Sequence, residues 1–241
     1  MTQKVVGIHA VRAALKSGSG IRLLVRQGRL NRRLQELVSL ARAVGVEVER
    51  QNMQTELVDQ GVLLETELVC FYSEFQLTQL LNENQSNWLF LVLDGVTDPR
   101  NFGACLRNAA SFGVHGVIVA KDKSAPLSEV AIKAASGAAS VTPVYQVTNL
   151  ARCLDYLKES GIWIVGTNLG GASLVLSSVD LKVPIAIVMG SEAKGIRPKT
   201  ATHCDFLAKI PMHSPDLSLN VSVATGVCLY EVFRQRYSIS Q

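Results

Sequence analysis

The order of apolar and polar positions divides the chain into two unlike halves. Up to about residue 75 the apolar positions are spaced and often interrupted. Ala10 to Lys16 has the periodicity of an amphipathic helix, Ile21 to Val25 reads as a strand, Arg32 to Val44 as a second helix, and Val46 to Glu49 and Leu68 to Tyr72 as short strands. That alternation predicts a small α/β unit. Thr78 to Asn87 (TQLLNENQSN) is rich in Asn and Gln and is expected to be a linker, entered at most by a short helical turn.

Beyond it the strands become continuously apolar: Trp88 to Asp94, Val117 to Ala120, Val144 to Val147, Ile162 to Gly166 and Ile185 to Met189. Helices fit between them at Phe102 to Ser111, Ser128 to Ser136 and Leu150 to Ser160. Apolar strands separated by helices predict a parallel sheet covered on both faces. The last helix, about Leu219 to Arg236, carries Val221, Val223, Ala224, Val227, Leu229 and Val232 around most of its circumference. It is expected to be buried in the core or against a second subunit. The division expected is a domain over 1–75, a linker over 76–87 and a second domain over 88–241, in an α/β fold.

Composition narrows the class. A chain of 241 residues with 48% apolar and 18% charged residues is an ordinary globule with room for a full core. Apolar runs such as Leu89 to Leu93 are far shorter than the ~20 residues of a spanning helix, so no membrane is expected. The opening MTQKVVGIHAVRAALK has its short apolar stretch interrupted by His9 and Arg12 and reads as folded protein rather than a targeting segment. Cys70, Cys105, Cys153, Cys204 and Cys228 are scattered without a C-x-x-C pair, which argues against a disulfide framework and for a cytoplasmic protein. His9, His115, His203 and His213 lack metal-ligand spacing, so no metal is expected.

The net charge of +4 is small, but it is unevenly placed. Eight basic residues (Lys4, Arg12, Lys16, Arg22, Arg26, Arg29, Arg32, Arg33) precede the first carboxylate, Glu36. Such a cluster suits phosphate contact, yet taken alone it equally suits a solvated face.

Three segments gather polar residues where strands run into turns. In Leu93 to Gly113 (LDGVTDPRNFGACLRNAASFG) a strand ends at Asp94 and a helix opens near Asn101, which is a candidate cap, with Arg107 six residues on. In Ile187 to Pro198 (IVMGSEAKGIRP) Gly190 allows close backbone approach and Glu192 supplies a carboxylate. Ile196 and Arg197 stand where a phosphate-binding loop would need Lys and Ser/Thr, so a triphosphate loop is excluded. In the third, beginning KIPMHSPDLSLNVSVATG, Ser218 and Asn220 flank the last helix, and capping explains only one of them. No G-x-G-x-x-G follows a strand, which leaves a dinucleotide site without support.

In order, spacing and letters these segments resemble the three motifs of the SpoU (TrmH) class of SPOUT methyltransferases. Gly7 to Val11 (GIHAV) and Val147 to Arg152 (VTNLAR) extend the likeness over nearly the whole chain, to the bacterial members that methylate a guanosine ribose in 23S ribosomal RNA. The resemblance implies a parallel-sheet domain threaded into a trefoil knot, a rare exception to unthreaded chain paths. It also implies a homodimer, a small N-terminal RNA-binding domain of the ribosomal-protein L30 type, and S-adenosylmethionine (SAM) as cofactor.

Carried over by position, Asn101, Arg107, Glu192, Ser218 and Asn220 match the family's active-site residues. Gly190, Ile210, Met212 and Leu219 match the positions whose backbone holds a bent SAM. An RNA-binding domain is the second pointer that the basic cluster needed, so Arg12, Lys16, Arg22, Arg26, Arg29, Arg32 and Arg33 are expected to meet phosphate. Ala193 departs from the family's G-[SA/N]-E-G and bears on cofactor affinity. Because a guanidinium does not readily lose its proton, Arg107 is expected to act as a cation, with Glu192 orienting it or the loop. Two rival readings remain open: a tRNA ribose methyltransferase of the same superfamily, and a non-catalytic RNA-binding or ribosome-assembly protein.

Overall fold

The three-dimensional structure is a computed structural model, and it describes residues 2–16, 18, 20–52, 59–67, 70–83, 86–168, 173–192, 194–214 and 218–237. The first part builds a four-stranded sheet from β1 (Thr2–Val6), β2 (Gly20–Arg26), β3 (Glu47–Gln51) and β4 (Val62–Glu67), in the order β1-β4-β2-β3. β4 runs antiparallel to both its neighbours, and β3 is parallel to β2. Two helices, α1 (Ile8–Lys16) and α2 (Arg32–Ala43), cover one side, and Asn31 caps α2 by accepting the Leu34 N–H. Val11, Leu15, Leu23, Val25, Leu34, Leu37 and Leu64 close this core.

The rest builds an eight-stranded sheet that is parallel throughout. Its strands are β5 (Tyr72–Ser73), β6 (Leu89–Asp94), β7 (Gly116–Ala120), β8 (Val144–Val147), β9 (Trp163–Thr167), β10 (Leu174–Val175), β11 (Ile185–Gly190) and β12 (Phe206–Lys209). Their order is β10-β12-β9-β11-β6-β7-β8-β5. The helices are α3 (Glu74–Leu81), α4 (Pro99–Ser111), α5 (Glu129–Ala135), α6 (Leu150–Glu159), α7 (Pro198–Ala201) and α8 (Val221–Arg236).

Alternation within the strands shows why every position is apolar. Leu89, Leu91 and Leu93 of β6, with Ile185, Ile187 and Met189 of β11, face α4 and α8. Phe90, Val92, Ala186 and Val188 point the other way, onto α3 and α6. Both faces are buried, so neither can carry the polar residues of a one-sided strand. The two units touch where α1 meets residues 137–140. A Cβ added at Gly137 would lie 2.9 Å from the Ala13 Cβ.

Several expectations need correction. The strand expected at Leu68 to Tyr72 is instead β4, which ends at Glu67. Residues 68 and 69 lie outside the described residues, Cys70 and Phe71 are in no strand, and Tyr72 pairs with Tyr145 in the other sheet. β1, β10 and β12 were not anticipated. Part of the expected linker is helix: α3 opens with a capping box in which Ser73 and Gln76 satisfy each other's backbone N–H groups, and Leu77 and Leu81 are buried in the second core.

Candidate active site

Asp94 and Gly190 end neighbouring parallel strands and are register partners, so the chain leaving each emerges at the same carboxyl edge. In α/β sheets that edge collects ligands. After β6, Asp98 caps α4 by accepting the N–H groups of Arg100 (2.8 Å) and Asn101 (2.9 Å), with Pro99 as the first helical residue. Asn101 is therefore not the cap it was expected to be. With Asp98 serving the helix end, the Asn101 side chain is released toward the strand edge.

Three distant segments meet there. Asn101 Nδ2 donates to Glu192 Oε1 at 3.1 Å, and Asn101 Oδ1 accepts from Asn220 Nδ2 at 3.0 Å. Asn220 Nδ2 also donates to Glu192 Oε1, and the Val221 N–H reaches the same oxygen at 3.3 Å. Asn220 is at once the cap of α8: its Oδ1 accepts from the Ser222 N–H at 2.9 Å and from Ser222 Oγ at 2.6 Å. A carboxylate at the positive end of a helix, held by two amides, is a stable arrangement for a charge.

Beside this triangle lies a cavity of about 260 Å³. Glu192, Ser218 and all four cofactor candidates, Gly190, Ile210, Met212 and Leu219, line it. Gly190 is required by space as well as by position. A Cβ there would lie 2.0 Å from the carbonyl carbon of Gly195, because Ser191 and Gly195 close the loop by exchanging backbone hydrogen bonds of 3.1 and 2.8 Å. Thr167, Asn168, Lys194, Lys209 and Ala224 also line the cavity and were not anticipated. Thr167 and Asn168 follow an expected strand, and their place at its carboxyl end was the available signal. Ala193, Pro215 and Asp216 lie outside the described residues.

Arg107 is not brought into this cluster. Six residues past Asn101, it is turned by roughly 240° around the helix. It is exposed, lines no part of the cavity, and makes no ion pair among the described residues. Glu192 therefore does not orient Arg107 within the chain; its Oε1 accepts from Asn101, Asn220 and Val221. Burial raises the Cys105 thiol, the one packed beside Thr225, to about 11, which leaves it protonated and a poor nucleophile at neutral pH. Among the described residues no His, Cys, Asp and Glu cluster could hold a metal, and no helix is long and apolar enough to cross a membrane.

The basic cluster divides in two. Arg12 pairs with Glu36 (2.9 Å), Arg32 lies 3.3 Å from the same Glu36, and Arg22 pairs with both Glu49 (3.0 Å) and Glu65 (2.9 Å). Lys16, Arg26, Arg29 and Arg33 are exposed and have no carboxylate partner among the described residues; Arg26 donates to the Arg29 carbonyl.

The family model described as the SpoU rRNA Methylase family matches residues 88–230. The chain belongs to the SpoU family. A second model, for RNA 2'-O ribose methyltransferase substrate binding, matches residues 4–68, the span of the first sheet. Among SpoU relatives, the 23S rRNA (guanosine-2'-O-)-methyltransferase RlmB of Pseudomonas aeruginosa is 47% identical, with 97% of each chain covered. Among solved structures, the SpoU methyltransferase AviRb from Streptomyces viridochromogenes, in complex with the cofactor AdoMet, superposes with a TM-score of 0.78. It shares 25% identity and covers 98% of this chain and 91% of its own. The TrmH/SpoU tRNA modifying enzyme of A. aeolicus is 31% identical but matches only 68% of this chain, with 84% of its own and a TM-score of 0.57.

Proposed function

We propose that this protein transfers a methyl group from SAM to the ribose 2′-oxygen of a guanosine in 23S ribosomal RNA. The observation that carries this reading is the Asn101–Glu192–Asn220 triangle, built from three segments 28 to 119 residues apart and joined through Glu192 to the wall of a cavity. The cavity fits SAM. Ile210, Met212, Leu219 and Ala224 offer apolar contact for an adenine and a methyl group, Gly190 and Gly195 offer bare backbone, and the polar rim suits a sulfonium beside an amino acid. When bound, SAM supplies an electrophilic methyl carbon with a good leaving group.

The protein's task is to orient the hydroxyl and to favour its loss of a proton. Asn101 and Asn220, already fixed through Glu192, are preorganised to position ribose and cofactor, and Ser218 stands at the same wall. Arg107 acts as a cation toward the RNA, holding phosphate, since a guanidinium does not readily lose its proton; lying outside the cavity of its own chain, it meets the developing alkoxide only at the cavity of a second copy in the proposed dimer.

RNA contact on the first sheet rests with Lys16, Arg26, Arg29 and Arg33, because Arg12, Arg22 and Arg32 already have carboxylate partners. That sheet is an L30-type RNA-binding domain, joined to the catalytic domain between residues 67 and 72, since Tyr72 and α3 belong to the larger sheet. The catalytic domain is a trefoil knot, a reading supported by the insertion of β11 between β9 and β6 and the return of the chain to β12 on the far side of β9. The protein acts in the cytoplasm as a homodimer through α8, whose Val223, Val227 and Tyr230 form an exposed stripe at helical spacing.

Likeness over both sheets to a 23S enzyme, against a match confined to 68% of the chain for a tRNA enzyme, favours ribosomal RNA. Mapping ribose methylation in RNA from a strain lacking the gene tests it. Loss of one 23S mark is expected; a lost tRNA mark, or no lost mark at all, would overturn it.

A further inference from the structure

Among the described residues Asp94 is the one buried side chain that bears a formal charge, and the proposed chemistry does not use it. It lies at the end of β6, in register with Gly190. Its Oδ2 accepts the backbone N–H of Arg197 at 2.9 Å, and its Oδ1 accepts the Arg197 guanidinium. We propose that Asp94 and Arg197 are a positioning pair that sets the SAM-binding loop, so that cofactor affinity depends on a contact outside the cavity.

The loop between Gly190 and Arg197 is anchored at its entry by β11, which pairs with β6 up to Asp94. Inside it, Ser191 and Gly195 are bonded to each other through their backbones, and Glu192 is the turn's tie to α4 and α8 through Asn101, Asn220 and the Val221 N–H. Ile196 packs against the core below, and Arg197 supplies the polar anchor, tied through both backbone and side chain to the strand that holds the entry. Ser191, Glu192, Lys194 and Gly195 between these anchors are cavity wall. Tilting the turn would therefore widen the cavity and draw Glu192 away from Asn101 and Asn220. A guanidinium suits the task because its planar fork fixes direction where an ammonium would fix only charge. Removing Asp94 would leave polar groups unpartnered in the interior, but Arg197 is 42% exposed, so water can replace a truncated side chain.

This inference rests on the reading of the cavity as the SAM site. Titration calorimetry of the full-length unchanged chain, Arg197→Ala and Arg197→Lys with SAM, and separately with a ribosomal RNA fragment, tests it. Amide exchange at Gly195 without cofactor provides a readout independent of SAM. Arg197→Ala is expected to weaken SAM binding tenfold or more, leave RNA binding within twofold, and speed Gly195 exchange, with Arg197→Lys intermediate. If Arg197→Ala does not fold, Arg197→Lys decides, with at least threefold weaker SAM binding expected. Unchanged SAM affinity in a folded variant would sink the pair's role alone. An unchanged chain that ignores SAM would sink the reading of the cavity, and this inference with it.

Discussion

Beside the cavity Asn101, Glu192 and Asn220 are tied to one another before any ligand arrives, whereas on the N-terminal sheet the cations are split between those held by carboxylates and those facing solvent. Asn101, Glu192 and Asn220 form a closed set that leaves little to reorganise on binding. Arg12, Arg22 and Arg32 are engaged by carboxylates, while Lys16, Arg26, Arg29 and Arg33 have no carboxylate partner among the described residues. A site for bond-making benefits from donors fixed in advance. A surface for a polyanion gains its affinity by releasing counterions, which needs cations that are still accessible. On the N-terminal sheet the same residue type, arginine, is thus either held or left accessible according to the acids that tertiary structure places near it.

The largest effect expected is at the residue that joins the two regimes. Arg107 is on α4, the helix that carries Asn101, but exposed like Lys16, Arg26, Arg29 and Arg33. Arg107→Ala should lower methyl transfer by about 10³-fold, the scale of lost transition-state stabilisation, while leaving SAM affinity within twofold. Single-turnover transfer with calorimetry on the same preparation measures both. Full activity in that variant would remove Arg107 from the chemistry and leave the proposed RNA contact as its only task.

Next is the rigidity of the cavity itself. Gly190→Ala puts a Cβ 2.0 Å from the Gly195 carbonyl carbon, and no side-chain rotation can relieve a clash between two backbones. A cost of about 1–3 kcal/mol or more is expected in thermal or denaturant unfolding, with SAM binding lost or cut by at least tenfold. A variant that keeps both stability and affinity would mean the loop is looser than its internal hydrogen bonds suggest.

How far each region could be read from the chain follows the same division. β6, β7, β8, β9 and β11 were legible because a sheet buried on both faces leaves no room for polar residues. β1 (TQKVV) and β4 (VLLETE) were hidden because the outer face of their sheet mixes charged with apolar positions: Lys4 and Glu65, the partner of Arg22, share it with the buried Leu63, which leaves no clean alternation. The end of α3 falls in the stretch that the Asn and Gln of Thr78 to Asn87 mark as linker, and only a short helical turn is expected there, although Ser73 and Gln76 carry a capping box. Asp98 followed by Pro99 was likewise a helix start passed over in favour of Asn101. Asn101, Glu192 and Asn220 stand out in the sequence as polar residues at turns and a helix start, but that they form one set is implied only by resemblance, because their meeting depends on parallel strands far apart in sequence, with Asp94 beside Gly190. Which arginines are free could not be read at all, since Glu36, Glu49 and Glu65 come from three different elements.

That last point makes a graded test of the RNA surface. Arg29→Glu combined with Arg33→Glu should weaken binding of ribosomal RNA strongly and flatten its salt dependence by about one in log–log slope per lost phosphate contact. Arg12→Ala or Arg22→Ala should change the slope little. Equal effects from both sets would mean that the carboxylate pairs open on binding and that their presence in the free protein says nothing about the interface.

The smallest effect settles whether those pairs do open. The hydrogen bond from Arg12, with its charge and that of Arg32, holds the Glu36 carboxyl below the ordinary carboxylate range. A depressed folded pKa stabilises above the unfolded value, and that contribution fades as pH falls through the folded one. For a carboxylate at the surface the gain is slight, so the useful observable is the titration itself, followed by the side-chain carbon shift of Glu36. In free protein its midpoint should stay depressed, and Arg12→Ala should return it most of the way to the ordinary range. Adding RNA should leave it depressed if Arg12 stays with Glu36. A midpoint that rises on RNA addition would show Arg12 leaving its carboxylate for phosphate, and the contrast between held and accessible cations would then describe only the unbound protein.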